Sequence, residues 1–306
     1  PVIVCEGDEY PASTLEKRPK FHFLLPHIAV LTGIAWDHIN VFPTFENYLE
    51  QFRIFIGMIQ PGGVLIYNET DPVLKELVEQ QGKDLRKIAY GIPDYKIQSG
   101  ITTTTLGDVE GSLKIFGDHN LLNLNAAYLV CRELGVNATD FMRAAATFNG
   151  ASRRMELLYQ RQGLNVYRDF AHAPSKVKAT ILALKKQFPE RRLLAVLELH
   201  TFSSLSEQFL DEYAHSLDDA ASAVVYYSLH ALELKRLPNL LADRVKEAFK
   251  KGHLDIINDR EVLKKWLLSQ DLNDATLLFM SSGNYDGFDV TQFQDYIPNV
   301  VLKQNI

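Results

Sequence analysis

The sequence has almost no cysteine. Only Cys5 and Cys131 occur in 306 residues, each inside an apolar run, VIVC and AAYLVC. Two thiols in so long a chain are not a disulfide framework, so a reducing cytoplasm is the expected compartment. Long apolar runs are also absent: none approaches the roughly 20 residues of a membrane-spanning helix. Positive charge is in deficit, with Lys+Arg 32 against Asp+Glu 38 and a net charge of −6. That balance argues against nucleic acid as a main partner, because neutralising phosphates takes a basic surplus. Internal repeats and low-complexity tracts are missing. So are an initial Met and a targeting segment: the chain opens on PVIVCEGDEY, which reads as a strand followed by acids. The expectation from that opening is a fragment with something missing upstream.

What is present is alternation. Short β-rich runs and helical patterns follow one another, which predicts α/β architecture, and the length allows about two domains. In the first half PVIVC, HIAVLTGI, VLIYN and IAYGI read as strands, while TFENYLEQFRIFIGMI and DPVLKELVEQQG read as helices. The glycine-punctuated IQSGITTTTLGDVEGSLKIFG predicts antiparallel β-structure, and two helices follow it, DHNLLNLNAAYLVCRELG and ATDFMRAAATF. The pattern restarts after FNGASRR, so residues 1–151 and 152–306 are expected to be separate domains. The second opens on a hairpin around Gly163 and continues with the amphipathic SKVKATILALKKQF. Four strands come next, LLAVLEL, SAVVYYS, LDIIND and TLLFMSSG. This order predicts a doubly wound, Rossmann-like domain.

In open α/β sheets ligands bind beyond the carboxyl ends of the strands, and those ends carry chemistry here. Glu6 follows the first strand and Asp37-His38 the second. His172 follows VYRDF, His200-Thr201 follows LLAVLEL, and Ser281-Ser282-Gly283-Asn284 follows TLLFM. Any one of these reads equally as a solvated turn. Glu6 and His38 together could ligate a divalent ion. Asn120 lies beside His119 and three residues before Asn123, on one helix face; it suits a purine edge, or simply an N-cap. Arg153 and Arg154 stand at the expected domain junction, where a guanidinium could clamp a transferring phosphate.

Taken in order, EGDEY, DHIN, GDHNLLNLNAA, FNGASRRME, DFAHAP and SSGNYDG resemble the Mur ligase family of ATP-dependent amide-bond ligases. The resemblance implies the later part of a Mur-type central ATPase domain followed by a Rossmann-like C-terminal domain. It implies ATP and Mg²⁺ as cofactors, with Glu6 and His38 on the metal and His119 and Asn120 at the adenine. Arg153 or Arg154 would stand near the phosphates, and Asp169 and His172 form the D-x-x-H motif that closes over the nucleotide. His200, Thr201, Ser282 and Asn284 fall where the amino substrate is held, and His172 or His200 could take the amine's proton. Within the family the pattern looks most like members that join UDP-N-acetylmuramate to a murein tripeptide in cell-wall recycling. The clue is the gap of 38 − 6 = 32 positions between Glu6 and His38, which includes the basic LEKRPKFHF.

The sequence also departs from the family. Asn40 and Pro11 stand where relatives tend to have Asp, and Arg53 stands where some carry a carbamylated lysine. The G-x-x-G-K-T phosphate loop is nowhere in the 306 residues, so the cradle for the β- and γ-phosphates is expected from a missing N-terminal part, without which the chain is expected to be inactive. Three other readings stay open: an L-alanine-adding ligase, a folylpolyglutamate synthase, and a catalytically silent ligand-binding fragment.

Overall fold

The structure is a computed structural model and describes residues 2–36, 41–82 and 84–295. Its contacts divide the chain into two units. The first comprises Pro1–Tyr95, Thr104–Gly111 and His119–Ala146; the second comprises Lys96–Thr103, Ser112–Asp118 and Thr147–Ile306.

In the first unit β1 (Ile28–Leu31), α1 (Phe45–Gly57), β2 (Val64–Asn68), α2 (Pro72–Gln80) and β3 (Arg86–Tyr90) alternate. The three strands pair in parallel in the order β1-β2-β3. Aromatic residues along one face of α1, Tyr48, Phe52 and Phe55, bury against Phe21 and the β1 side chains Ala29 and Leu31. Full burial of a large apolar side chain is worth about 1.5–3 kcal/mol, so this stripe holds the helix. Helix α2 starts where its sequence says it should. Asp71 caps it, accepting Val73 N–H and Leu74 N–H at 3.0 and 3.1 Å, and Pro72 occupies the first turn. The same carboxylate accepts Ile34 N–H at 2.6 Å, and Asn68 donates to the Thr32 carbonyl at 3.1 Å. The loop leaving β1 is therefore pinned at the carboxyl end of the sheet, just ahead of Asp37 and His38, which lie outside the described residues.

The expected first strand does not form. Residues 2–9 are irregular, and the strand propensity of the VIVC run finds no ladder partner: Ile3 and Val4 stay 83% and 86% exposed. A strand requires a neighbour for its N–H and C=O groups, and none of the described strands pairs with this run.

Strands β4 (Tyr95–Gln98), β5 (Ile101–Leu106) and β6 (Val109–Leu113) form a second sheet in that order. They are followed by α3 (Asp118–Glu133) and α4 (Ala138–Ala145).

The second unit is built on a six-stranded sheet. Its elements are β7 (Glu156–Arg161), β8 (Leu164–Asp169), α5 (Pro174–Gln187), β9 (Arg192–Leu199), β10 (Ser222–Tyr227), α6 (Leu229–Leu234), α7 (Ala242–Phe249), β11 (Asp255–Ile257), α8 (Arg260–Ser269) and β12 (Ala275–Met280). The order is β11-β10-β9-β12-β8-β7. All pairs are parallel except the β7–β8 hairpin, which turns at Gly163 with φ +77°. The strands are apolar on both sides because both faces are covered. Leu193, Ala195, Leu197 and Leu199 of β9 join one core with α5 and α7; Leu194 and Val196 join the other, with Leu263 and Leu267 of α8. No helix among the described residues is long and apolar enough to cross a membrane.

Candidate functional site

Strands β9 and β12 are neighbours in parallel register, so whatever follows them meets at one end of the sheet. The ELH and SSGN segments are brought together in this way. Glu198 completes the alternation of Leu194 and Val196, and its side chain is 1% exposed. A buried carboxylate must be compensated, and the loop after β12 does so. The Ser281 hydroxyl donates to Glu198 Oε2, and Tyr285 N–H donates to the same oxygen at 2.9 Å. His200 Nδ1 lies 3.7 Å from Glu198 Oε1. Gly283 lets the chain pass: a Cβ there would sit 2.6 Å from the His200 ring and 2.8 Å from Glu198 Oε2.

The turn that delivers Tyr285 N–H is strained. Tyr285, Asp286 and Gly287 are all left-handed, with φ of +50°, +57° and +83°, a conformation that costs non-glycine residues. Burial of the Tyr285 ring offsets it. The phenol donates to the Met280 and Val196 carbonyls, at 2.9 and 3.1 Å, and burial pushes its pKa well above the usual tyrosine value.

Beside this turn a cavity of about 260 Å³ is lined by Arg153, Arg168, Ser281, Asn284, Phe288 and Asp289, among others. Arg168 pairs with Glu156 at 2.8 Å, and Arg153 N–H reaches the same Glu156 oxygen at 2.8 Å. Burial raises the Glu156 pKa, but the Arg168 guanidinium and Arg153 N–H more than offset it and hold the carboxyl below its usual range. Asn284 is exposed at the rim and caps the 285–287 turn by accepting Gly287 N–H at 3.3 Å. Ser282 Oγ is buried and has no hydrogen-bond partner among the described residues. Thr201 is engaged locally, exchanging hydrogen bonds with Ser204 at 3.0 and 3.1 Å.

The D-x-x-H pair sits at the end of β8. Asp169 is buried, and its oxygens face inward: Met155 N–H at 2.6 Å, Ala171 N–H at 2.7 Å and the Thr180 hydroxyl at 3.4 Å all donate to it. It ties the left-handed Met155 turn (φ +45°) to the start of α5. Phe170 lies between two candidates, with the Arg154 guanidinium 5.4 Å from its ring centroid and the His172 ring edge-on at 5.3 Å. His172 Nδ1 is 2.9 Å from the Phe170 carbonyl. The arginines thus diverge: Arg153 lines the cavity and Arg154 covers Phe170.

In the first unit His119 and Asn120 occupy the first turn of α3, half-buried. Glu6 is exposed on the irregular opening segment, while its neighbours are engaged: Asp8 with Lys20 at 2.6 Å and Glu9 with the Tyr48 hydroxyl at 3.3 Å. His38 is outside the described residues. No group of three or more His, Cys, Asp or Glu that could hold a metal occurs among those described. Glu6 does not follow a strand here, and its expected partner in a metal pair, His38, lies outside the described residues. Arg53, at the carbamate position, is bound to Glu46 and Glu50 at 2.6 and 3.1 Å.

Two residues of this site were missed in the sequence, Glu198 and Tyr285. Glu198 had a signal: it is the one charge inside LLAVLEL, and a lone acid in a buried strand is rare unless partnered.

The mostly parallel sheet, with polar groups gathered at its carboxyl ends, defines an α/β domain of Rossmann-like type. Residues 3–131 match the model of the Mur ligase middle domain, and residues 153–283 match that of the Mur ligase glutamate ligase domain. The chain belongs to the Mur ligase family. It is 30% identical over 262 residues to UDP-N-acetylmuramate–L-alanine ligase of Carboxydothermus hydrogenoformans, covering 81% of this chain and 54% of that protein. It is 28% identical over 298 residues to the Escherichia coli UDP-N-acetylmuramate–L-alanyl-γ-D-glutamyl-meso-2,6-diaminoheptandioate ligase, covering 93% and 63%. The crystal structure of a murein peptide ligase from Psychrobacter arcticus superposes with a TM-score of 0.60 at 20% identity, covering 96% and 62%. The chain therefore spans between half and two thirds of the length of these relatives.

Proposed function

We propose that this chain is the later part of an ATP-dependent ligase that joins the carboxylate of UDP-N-acetylmuramate to the amine of a murein tripeptide through an acyl phosphate. The observation that carries the reading is the meeting of the ELH and SSGN segments beside a cavity holding two guanidiniums. A carboxylate is a poor electrophile, so it is first phosphorylated. Its oxygen attacks the γ-phosphorus of ATP and ADP leaves; the amine then attacks the carbonyl carbon and phosphate departs. Phosphoryl transfer asks mainly for positioning and charge neutralisation, which Arg153 is suited to provide. His119 and Asn120 are assigned to the adenine in this reading, and His200 to the amine's proton. The phosphate loop would come from a preceding segment of a longer protein, consistent with the 54–63% of the relatives that the chain spans.

The tripeptide is favoured over free L-alanine by the cavity's chemistry. Two arginines and an exposed amide, Arg153, Arg168 and Asn284, offer more than one amino acid can use, whereas a tripeptide brings additional carboxylates and amides. The L-alanine reading stays as the second one, because the 30% identical relative carries that activity in its name. The test is kcat/KM of the chain joined to a Mur-type N-terminal segment, with each acceptor. The tripeptide is expected to be preferred, and Asn284→Ala to lower its efficiency about 5- to 100-fold, the equivalent of one lost contact of about 1–3 kcal/mol, with little effect on L-alanine. Equal efficiency for the two acceptors would favour the L-alanine ligase.

A further inference from the structure

Glu198 has no part in the motifs that mark the family resemblance above, yet it is the most enclosed carboxylate near the site. Its two oxygens are divided. Oε2 takes two donors, the Ser281 hydroxyl and Tyr285 N–H; Oε1 faces His200 Nδ1 at ion-pair distance, 3.7 Å. Ser281 Oγ in turn accepts Gly283 N–H at 2.6 Å, which draws the β12 loop against the imidazole. Gly283 has no side chain to push the ring away. One edge of the histidine thus faces an acid at a distance longer than a hydrogen bond, and the acid itself is held by a hydroxyl and a backbone N–H.

We infer that Glu198 is the positioning residue of His200: it selects the Nδ1–H tautomer, leaves Nε2 for the incoming amine, and stabilises the imidazolium that forms. The inference rests on the ligase reading above. In the step it serves, the substrate's α-ammonium gives one proton to His200 Nε2. The freed lone pair forms the C–N bond to the acyl phosphate carbon, the C–O bond to phosphate breaks with its electron pair, and the second nitrogen proton leaves with the phosphate. A carboxylate facing one ring nitrogen favours the tautomer that carries the proton on that nitrogen.

The variant Glu198→Gln separates this role from simple packing. Ser281 and Tyr285 both need an acceptor, so the glutamine oxygen stays with them and its NH₂ turns to His200 Nδ1. That nitrogen must then accept, and the proton moves to Nε2. The readout is a long-range ¹H–¹⁵N spectrum of the ¹⁵N-histidine-labelled chain at about pH 8, above the ordinary histidine range, with His200 assigned by its loss in His200→Gln. The wild type is expected as Nδ1–H and Glu198→Gln as Nε2–H. In the chain joined to its phosphate-loop segment, Glu198→Gln is expected to lower kcat at least about tenfold, with KM for the peptide within about twofold. A wild-type His200 carrying its proton on Nε2 overturns the inference, and that spectrum decides even if the variant does not fold. An unchanged tautomer in the variant, or a KM effect without a kcat effect, also overturns it. A tautomer that switches while the joined wild type makes no amide would sink the ligase reading and leave the Glu198–His200 pairing standing.

Discussion

Asp169→Ala is expected to destabilise the second unit by about 3–5 kcal/mol, read as a fall in the urea midpoint with the slope unchanged. The D-x-x-H motif presents this residue as nucleotide-facing chemistry, but both of its oxygens are occupied inside the fold. Removing them leaves Met155 N–H and Ala171 N–H buried without acceptors, at about 1–3 kcal/mol each, and removes the acceptor that offsets the left-handed Met155 backbone. Asp169→Asn keeps one acceptor oxygen and should lose roughly half as much. A loss below about 1 kcal/mol for the alanine variant would show that water or a rearranged turn replaces the carboxylate.

His200→Ala is expected to slow amide formation about 10²- to 10⁴-fold in the chain joined to its phosphate-loop segment, the usual range for a lost general base. Formation of the acyl phosphate should persist, because the carboxylate that attacks ATP needs no proton removed. Hydroxylamine, which reaches the acyl phosphate already deprotonated, separates the two steps: ADP release in its presence should stay within a few-fold of wild type. His172 is the competing base. Its Nδ1 faces the Phe170 carbonyl and its ring packs on Phe170, but it follows β8 and not the β9–β12 junction beside the cavity, so His172→Ala is expected to have the smaller effect on amide formation. The reverse ranking would move the base to the D-x-x-H motif.

How much of this was legible depended on how local the physics is. The strands β8, β9, β10 and β12 announced themselves because a sheet covered on both faces needs continuous apolar runs. Asp71-Pro72 marked the start of α2, and Gly163 marked the hairpin, because caps and tight turns are written in one or two residues. The run PVIVC has the same composition as a buried strand but lacks a ladder in the described residues, and pairing is not a local property. The carboxyl-end rule drew attention to His200 and to Ser281–Asn284. It passed over Glu198, whose burial is set by a turn 87 residues further on. That turn was hidden for a related reason: Tyr285 and Asp286 adopt left-handed backbone without being glycine, and the buried phenol, the acceptor at Glu198 and the Asn284 cap all stabilise it. Which arginine faces the cavity was likewise undecided by SRRME; the fold places Arg153 there and Arg154 over Phe170.

The proposed role of this chain is the amide-forming part of an ATP-dependent ligase acting on UDP-N-acetylmuramate. The most direct measurement is ADP release and product mass for the chain alone, and for the chain joined to a Mur-type N-terminal segment bearing the phosphate loop. Both are supplied with ATP, UDP-N-acetylmuramate and the tripeptide. The expected result is no ADP from the chain alone, and from the joined protein one ADP per amide formed, with the new bond between the muramate carboxylate and the peptide's α-amine. Sustained ADP release by the chain alone would contradict the need for the loop, and a joined protein that binds ATP yet forms no amide with the tripeptide or with L-alanine would contradict the ligase reading itself.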